Sequence, residues 1–352
     1  MKTSRREAVR LDRTPRTARP IRVFESVPPP GPIVKYIDSL VRYAPSDVEY
    51  SYFTWRRALL GSFDVFHVHW PEILVRSRSG FRGFIRRFLF RLFLLKLKIR
   101  RIPVVRTVHN LEPHRAVAHA EAELLVELDR LVRRYVVMSD CASGLQGADS
   151  VVIPHGDFIE VLGANARARR VGGRVLLFGR IEPYKGVIDL IRAARGITSP
   201  DVEVRIVGAA NATMLKEIDD ELRLNGDQGA RITLDLRTVS DEEMVIEMTQ
   251  ADLIALPYRD AGNGNSGVAM VALSLDRPVL VYQSCIMERL AEETGPEWVH
   301  LMDQPISGPQ IESALARVAE LDSDSRPPLV GRDWKSVASA YADVFRAVAG
   351  KN

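Results

Sequence analysis

The sequence predicts an α/β protein with two doubly wound parallel sheets that face each other across a cleft. Short apolar runs alternate with helical patterns, this alternation restarts near residue 165, and 352 residues suffice for two domains of ordinary size. Such alternation is typical of parallel strands covered by helices on both faces. We expect a basic disordered tail over 1–20, an N-terminal domain over 21–165, a C-terminal domain over 166–330 and a terminal helix over 331–352.

Each half of the chain supplies six apolar runs that predict strands. The first series is IRVFESV, VEYSYFT, DVFHVHW, PVVRTVHN, YVVMS and SVVIPH, with helical patterns near 33–43 and over 116–133. The second series is RVLLFG, VEVRIVG, ARITLDL, DLIALPY, PVLVY and EWVHLM. Ser240 and Glu243 predict a capping box at the start of one helix of this half. The helices of this half are predicted at 186–197, 212–224, 241–250, 267–275 and 286–294.

The composition is that of a soluble globular protein, with 46% apolar and 27% charged residues. We expect no transmembrane helix, since no uninterrupted apolar run approaches 18 residues. The basic N-terminus also lacks the apolar region of a signal peptide. Cys141 and Cys285 lie far apart and predict neither a disulfide framework nor a metal-ligand spacing, which is typical of a reducing compartment.

The net charge of +4 is unevenly distributed between the two halves. Residues 1–170 hold 30 Lys and Arg against 17 Asp and Glu, a net of +13, whereas residues 171–352 hold 19 against 28, a net of −9. This asymmetry predicts that the first half meets an anionic partner, which could be nucleic acid, an anionic membrane or a phosphorylated substrate.

A short basic loop, GRIEPYKG, joins the strand RVLLF to the helix that follows it. Arg180 and Lys185 therefore lie at the carboxyl edge of the predicted sheet, where open α/β folds bind ligands. Two cations beside a helix N-terminus are suited to hold a phosphate or a diphosphate. The alternative is a pair of solvated loop charges.

Residues 76–101 carry ten cationic residues and no acidic one. Phe and Leu side chains recur there at spacings of three and four, which predicts an amphipathic helix. Such a helix can insert its apolar face into an anionic membrane and lay its arginines on the headgroups, or it can be a domain helix with a solvated basic face. We favour membrane contact, through Phe81, Arg82, Phe84, Arg86, Arg87 and Phe88.

Several motifs, taken in order, resemble those of sugar-nucleotide-dependent glycosyltransferases of the GT-B fold, the superfamily that includes glycogen synthase and bacterial glycan-assembly transferases. GRIEPYKG is similar to the donor-site motif of that group, and FHVHWPE and TVHN are similar to the histidine-bearing strand ends of its N-terminal domain. VIPHGD resembles its interdomain segment, and ADLIALPY with SGVAMVALSLDRPVL resembles its donor-binding strand, loop and helix. The resemblance covers 21–348 and implies two Rossmann-like domains, with the acceptor on the N-terminal and the donor on the C-terminal one.

The resemblance implies that Gly179, Arg180 and Lys185 hold the diphosphate of a nucleotide sugar. Cations there stabilise the charge that develops on the leaving nucleoside diphosphate. The loop GNGNSGVAM would complete the donor site, since small residues admit phosphate and the next helix aims its N–H groups at it. Its donor candidates are Asn263, Gly264, Asn265, Ser266 and Gly267, of which Ser266 also suits an N-cap.

Two glutamates that retaining members of the group carry across this loop and helix are missing. Their places fall on Asn263 and Val271, which leaves the stereochemical outcome open, because an inverting enzyme needs a general base on the N-terminal domain instead. His109 matches a family position near the transferring sugar and can orient the donor or act as the base. The carboxylate candidates for the base are Glu72, which we favour, and its alternatives Asp157 and Glu112.

The acceptor side is expected at the carboxyl end of the strand DVFHVHW. His67 and His69 alternate along this strand and so share one face. His69 and Trp70 lie where they can face an acceptor, although a histidine at a strand end is also a common structural group. The Pro-rich segment SVPPPGPIVKYIDSL resembles the first loop of the family and retains Gly31, a further acceptor-side candidate.

These observations together predict a metal-independent glycosyltransferase of the hexosyltransferase class, acting in polysaccharide or glycolipid assembly. The resemblance implies GDP-mannose or a UDP-sugar as donor and a lipid-linked or glycan acceptor, with no cofactor, no metal and no nucleic acid. We expect a cytoplasmic protein that is peripheral on the inner face of the cell membrane. The alternatives are a nucleic-acid-binding protein that uses the basic half, a GT-B epimerase, and a phosphorylase, which would need a pyridoxal-bearing lysine.

Overall fold

The computed structural model describes residues 19–29, 35–76, 80–109, 119–141, 149–162, 169–225, 229–259 and 266–350. Within these ranges the chain forms two six-stranded sheets whose paired strands are all parallel and whose connections include helices. The predicted α/β architecture with two doubly wound sheets is confirmed.

The first sheet has the strand order β2-β1-β3-β4-β5-β6. The order reverses between β1 and β3, and the crevice at such a switch point is where open α/β sheets bind ligands. The strands are β1 (Ile21–Glu25), β2 (Val48–Ser51), β3 (Val65–Val68), β4 (Val104–Val108), β5 (Val132–Val137) and β6 (Ser150–Val152). The helices are α1 (Lys35–Arg42), α2 (Trp55–Leu60), α3 (Glu72–Val75), α4 (Gly80–Arg100), α5 (His119–Asp129) and α6 (Ile159–Leu162).

The second sheet has the order β12-β11-β10-β7-β8-β9, with its switch point between β7 and β10. Its strands are β7 (Arg174–Phe178), β8 (Glu203–Val207), β9 (Arg231–Asp235), β10 (Leu253–Leu256), β11 (Val279–Tyr282) and β12 (Val299–Met302). A 3-10 helix (Pro183–Lys185) precedes α7 (Val187–Ala194). The other helices are α8 (Ala212–Asn225), α9 (Asp241–Gln250), α10 (Gly267–Ser274), α11 (Cys285–Thr294) and α12 (Gly308–Ala319).

Most local predictions match these elements, and one does not. The capping box of Ser240 and Glu243 opens α9, as predicted. The helical pattern over 116–133 overlaps a strand, because α5 ends at Asp129 and β5 begins at Val132. Val132, Val136 and Val137 favour a strand, and pairing with β4 decides the conformation of this short stretch.

The terminal helix α13 (Trp334–Ala349) returns from the C-terminal domain and packs on the first sheet. It contacts α1, β1, β3 and β5, and the Arg346 guanidinium donates to both carboxylate oxygens of Asp47 at 2.9 Å. At its first turn, the Trp334 indole N–H donates to the carbonyl of Asp157. One apolar core therefore runs from the first sheet through Trp334 into α10.

The expectation that the cysteines do not pair is wrong. Cys141 follows β5, Cys285 opens α11, and the two form a disulfide across the domains with a Cα–Cα distance of 5.9 Å. Sequence separation is no guide here, because the fold brings the carboxyl end of β5 to the N-terminus of α11. Because the two cysteines are paired, they do not indicate a reducing compartment.

Membrane-spanning helices were not expected from the sequence. No helix in the described ranges has both the length and the apolar character to cross a bilayer.

Candidate active site

The donor-side candidates lie at the carboxyl end of β7. The Lys185 side chain is buried, with its residue 6% exposed, and its Nζ donates to the Phe178 carbonyl at 3.4 Å and lies 5.3 Å from the centre of the Tyr258 ring. Gly179 has φ of +103°, and a Cβ there would lie 2.7 Å from Lys185 Nζ. A glycine is therefore needed both for the backbone conformation and for the lysine to occupy this position.

Arg180 and Lys185 have different surroundings. The Arg180 side chain is 77% exposed and pairs with Glu182 at 3.0 Å. Burial lowers the pKa of Lys185 to about 8, against a smaller opposing effect of Glu182. Lys185 thus remains mostly protonated at neutral pH and presents a partly desolvated charge, whereas Arg180 lies on the rim and is available to swing toward an anion.

The N-terminus of α10 lies near this edge. The Ser266 hydroxyl accepts from the Ala269 backbone N–H at 3.2 Å, so Ser266 is the N-cap, and Gly267 is the first helical residue. Val271, one of the two places where retaining members carry glutamate, is buried within α10. The donor candidates Asn263, Gly264 and Asn265 and the acceptor candidate Gly31 lie outside the described residues.

The N-terminal domain brings the candidates His69, Trp70 and His109 together at the ends of β3 and β4. His69 Nδ1 lies 2.9 Å from His109 Nε2, and the Trp70 ring stacks on the His109 ring with centroids 4.3 Å apart. His69 is buried, whereas His109 is partly exposed. His109 and Trp70 are therefore the partly exposed members of this group.

Behind these histidines lies a buried carboxylate that sequence reasoning missed. Glu25 Oε1 lies 2.8 Å from His67 Nδ1, and Glu25 Oε2 lies 3.2 Å from His69 Nε2. The second contact is poorly aligned, but each of its two atoms is buried without a better partner among the described residues. Glu25, His67 and His69 are also the described group that could ligate a metal, although Glu25 and His67 already form a hydrogen bond with each other.

The hydrogen bonds continue from His67 to the terminal helix. His67 Nε2 lies 2.8 Å from the Thr107 hydroxyl, which lies 2.9 Å from the Tyr341 hydroxyl, and this in turn lies 2.9 Å from the Tyr36 hydroxyl. The Tyr36 ring meets the His109 ring edge to face at 5.1 Å. We call this set of residues the histidine array: Glu25, His67, His69, His109, Thr107, Tyr341 and Tyr36. It includes residues of β1, β3, β4, α1 and α13.

Burial and charge give these groups distinct protonation states. Burial raises the pKa of Glu25, but the hydrogen bonds and charges of His67 and His69 outweigh it and bring that pKa down to about 2. Burial lowers the pKa of His69 to about 4 and that of His109 well below its usual value. At neutral pH an ionised Glu25 carboxylate therefore lies behind the neutral imidazoles of His69 and His109.

His155, in the segment VIPHGD, is a second residue that the sequence reasoning missed. Its Nδ1 lies 2.7 Å from the Gly156 carbonyl oxygen, and its ring meets Tyr36 at 5.0 Å. Its Nε2 faces α10, since a Cβ on Gly267 would lie 4.0 Å from it. The signal was available, because this histidine belongs to the segment VIPHGD, which resembles the interdomain segment of the family.

The carboxylate candidates for the base have separate locations. Glu72 opens the short helix α3, two residues after Trp70, and is partly exposed. Asp157 is buried, its carboxylate accepts from the Ile159 N–H at 3.1 Å, and burial raises its pKa. Asp157 thus shapes the domain junction, and Glu112 lies outside the described residues.

Helix α4 presents two apolar stripes. One stripe, which includes Phe90, Phe93 and Leu97, is buried against the first sheet. The other is exposed along the whole helix: Phe81 75%, Phe84 59%, Ile85 40%, Phe88 50%, Leu92 38%, Leu95 52% and Ile99 69%. The apolar residues singled out from the sequence all belong to the exposed stripe.

The cations of α4 are not equivalent. Arg86 donates to the Arg76 carbonyl, and Lys96 donates to the carbonyls of Ala58 and Gly61 at 2.7 Å, so both tie the helix to its neighbours. Arg87 lies 4.0 Å from Glu121. The exposed cations that flank the outer stripe are Arg82, Arg91, Lys98 and Arg100.

Comparison with known proteins agrees with this architecture. The chain is 32% identical over 330 residues to the GDP-mannose:glycolipid 4-beta-D-mannosyltransferase of Xanthomonas campestris pv. campestris, a match that covers 94% of this chain and 93% of the relative. A second relative, the GDP-mannose:cellobiosyl-diphosphopolyprenol alpha-mannosyltransferase of Xanthomonas campestris, is 27% identical over 198 residues, 53% of this chain and 50% of that protein. No family model matches the chain.

Solved structures share the fold at low sequence identity. Sucrose-phosphate synthase from Thermosynechococcus elongatus has a TM-score of 0.62 at 13% identity, covering 95% of this chain and 100% of that chain. Anabaena HepE in complex with UDP has a TM-score of 0.61 at 15% identity, covering 94% and 98%. The chain is a GT-B glycosyltransferase and belongs to the family that includes the Xanthomonas campestris GDP-mannose:glycolipid 4-beta-D-mannosyltransferase.

Proposed function

We propose that this glycosyltransferase transfers mannose from GDP-mannose to a glycolipid acceptor, with inversion at the anomeric carbon. The observation that carries the proposal is the near-full-length similarity to a relative named for this donor and for a β product. Mannose is α-linked in GDP-mannose, so formation of a β-glycoside inverts the anomeric centre. The absence of a glutamate at Val271 agrees with a site that is not built like those of retaining relatives.

The donor diphosphate is proposed to bind at the carboxyl edge of β7. Lys185, the Gly179 backbone and the N-terminus of α10 would neutralise the charge of the departing GDP, and Arg180 would swing from Glu182 to join them. Because the protein supplies this positive charge itself, we propose that transfer needs neither a metal nor a cofactor.

Calorimetry with GDP-mannose, UDP-glucose and ADP-glucose in EDTA, on the full chain, tests the donor. We expect GDP-mannose to bind tightest, Lys185→Ala to weaken it by about tenfold or more, and Arg180→Ala to weaken it less. Arg231→Ala, an exposed arginine on β9, serves as the matched control. Tighter binding of a uridine donor would reject GDP-mannose, and equal affinities of wild type and Lys185→Ala would reject the site.

The outer stripe of α4 is proposed to bind an anionic membrane surface, which would bring the enzyme to its glycolipid. Seven exposed apolar side chains lie along 21 residues with arginines and lysines beside them, and α4 has no acidic residue. Phe and Leu in the interface with cations at the headgroups are the features of an interfacial helix. We expect no nucleic-acid binding by this surface.

Flotation with phosphatidylglycerol vesicles and with phosphatidylcholine vesicles tests the surface. We expect binding to the anionic vesicles, a loss on Phe81→Ser/Phe84→Ser/Phe88→Ser, and a weakening on Arg82→Gln/Arg91→Gln. Arg192→Gln and Arg223→Gln, exposed arginines of the other domain, are the control. Vesicle binding that survives the serine variant, or competition by single-stranded RNA that releases the protein from vesicles, contradicts the proposal.

A further inference from the structure

We propose that Glu25 and His69 are positioning residues that fix the tautomer of His109 and leave its Nδ1 free to accept the proton of the acceptor hydroxyl. This inference rests on the inverting transfer proposed above. It goes beyond it by assigning the base and the two residues that act through it. Two contacts support it: Glu25 Oε2 lies 3.2 Å from His69 Nε2, and His69 Nδ1 lies 2.9 Å from His109 Nε2.

The carboxylate sets the direction of every hydrogen bond in the array. An ionised carboxylate can accept but cannot donate. Because Glu25 Oε2 faces His69 Nε2, that nitrogen must carry the proton, and the neutral His69 then has an unprotonated Nδ1. His109 Nε2, 2.9 Å from that Nδ1, must therefore donate.

The second series of hydrogen bonds runs from Glu25 through His67, and the carboxylate is again the acceptor at its start. His67 Nδ1–H donates to Glu25 Oε1, and in the neutral ring Nε2 is then the atom that accepts from the Thr107 hydroxyl. The Thr107 oxygen then accepts from Tyr341, and Tyr341 accepts from Tyr36. The series through His69 and the series through His67 both begin at the Glu25 carboxylate. With neutral rings, one arrangement of protons satisfies both series.

The outcome for His109 is a neutral ring whose lone pair is on Nδ1. No hydrogen-bond partner of this atom lies within the described part of the chain, and the His109 ring is partly exposed, with Trp70 stacked on one face. When Nδ1 takes a proton, Nε2–H continues to donate to His69. The negative charge of Glu25 then lies one imidazole away and stabilises the imidazolium, as in an acid–base triad.

The transfer step balances with these groups. The acceptor oxygen forms a bond to the anomeric carbon of mannose while its proton passes to His109 Nδ1. The bond from that carbon to the β-phosphate oxygen breaks, and its electron pair leaves with GDP toward Lys185. His109 afterwards releases the proton to solvent.

The other imidazole near the cleft is less suited to this role. His155 Nδ1–H is held by the Gly156 carbonyl, and no carboxylate lies behind it among the described residues. Arg332 donates to the His155 carbonyl at 3.0 Å, so its positive charge lies close to the ring. An imidazolium at His155 would form beside a guanidinium.

Long-range ¹H–¹⁵N correlation spectra of the histidine-labelled full chain test the tautomers, since protonated and unprotonated ring nitrogens have widely different shifts. Single His→Gln variants assign the signals. We expect the proton of His109 on Nε2 in the wild type, and a mixture of tautomers in Glu25→Gln and in His69→Gln. The exposed Glu49 on β2 supplies the matched control Glu49→Gln, with an unchanged spectrum. A wild-type His109 with its proton on Nδ1 overturns the proposal.

Kinetic measurements distinguish a residue that positions His109 from one that binds the donor. The assay uses GDP-mannose as donor and, as acceptor, the glycolipids extracted from membranes of the organism that makes this protein. We expect His109→Gln to lower the transfer rate by about 10²-fold or more. Glu25→Gln should lower it by about tenfold or more, with GDP affinity within twofold of wild type, and Glu25→Asp should recover part of the rate. Unchanged rates in both Gln variants overturn the assignment. If GDP-mannose is not the donor, the proposed function fails while the spectra still decide the tautomer.

Discussion

At the residue scale, His300 illustrates how a buried imidazole without hydrogen-bond partners lowers the stability of a protein. It lies in β12, 1% exposed, and neither ring nitrogen has a hydrogen-bond partner among the described residues. Burial, and secondarily the charge of Arg317, lower its pKa to about 4. His300 contrasts with His67, which is equally buried but has both nitrogens hydrogen-bonded.

We predict that His300→Leu stabilises the protein by about 1 kcal/mol at pH 7.5, because it removes buried polar atoms that make no hydrogen bond. The gain should increase as the pH falls from 6.5 toward 4. In this window the unfolded histidine binds a proton that the folded one, with its depressed pKa, does not, so the wild type loses stability. Urea unfolding at pH 7.5 and pH 5 measures both effects.

The exposed His119 provides the control for this prediction, since its side chain is 92% accessible. His119→Leu should leave the pH dependence unchanged. An equal loss of stability between pH 7.5 and pH 5 in wild type and His300→Leu would show that His300 does not titrate as argued. His69, His109 and His155, whose pKa values burial also lowers, contribute to the remaining acid sensitivity.

The sequence points to residues that follow a strand end, but it does not point to Glu25. His69 and His109 come directly after apolar runs and Lys185 lies in the loop after β7, so the general geometry of parallel sheets predicts their location. Glu25 is the last residue of β1, and its importance depends on the register that pairs it with His67. A single sequence does not encode that register in any local pattern.

At the element scale, Gly156 and Trp334 join the interdomain segment to α13. A Cβ on Gly156 would lie 2.6 Å from the Trp334 ring, and the ring cannot retreat without breaking its hydrogen bond to the Asp157 carbonyl. The Trp334 ring also packs against Tyr36 at 5.1 Å. A displacement here would therefore reach both the domain junction and the histidine array.

We predict that Gly156→Ala lowers the free energy of unfolding by about 1–3 kcal/mol, the usual cost of forcing an extra carbon into a packed interior. Thermal unfolding measures it, and Trp fluorescence reports the displacement. Gly172→Ala is the matched control, since a Cβ there meets nothing within 4 Å. Equal melting temperatures for the two variants would contradict this prediction, because they would show that the Trp334 ring moves aside without a loss of stability.

For the helices, the periodicity of apolar residues predicts the helix itself but not every surface that it packs against. In α4 the spacing of Phe and Leu predicted one apolar face, but the structure has two, because a helix that packs on the sheet needs a buried stripe as well. For α13, the sequence predicted a helix but gave no sign of its partner. Its packing on the first sheet depends on contacts such as that between Tyr341 and Thr107, 234 residues apart.

At the scale of the whole molecule, four kinds of contact hold the two domains together. The apolar core is continuous through Trp334, α13 packs on the first sheet, and the disulfide ties β5 to α11. Arg289 of α11 lies 3.5 Å from Asp140, beside that disulfide. A cavity of about 420 Å³ opens there between the domains, lined in part by Met138, Met270 and Ser266.

We predict that the disulfide stabilises the native state by about 3–5 kcal/mol. It joins residues separated by 144 positions, and closing so long a loop removes much conformational freedom from the unfolded chain. Denaturant unfolding with and without dithiothreitol measures the effect, and Cys141→Ser/Cys285→Ser should behave like the reduced wild type in both conditions. Thiol titration in denaturant without reductant should find no free thiol in the oxidised wild type. Two reactive thiols, or unfolding curves that reductant leaves unmoved, would show that noncovalent contacts alone hold the domains together.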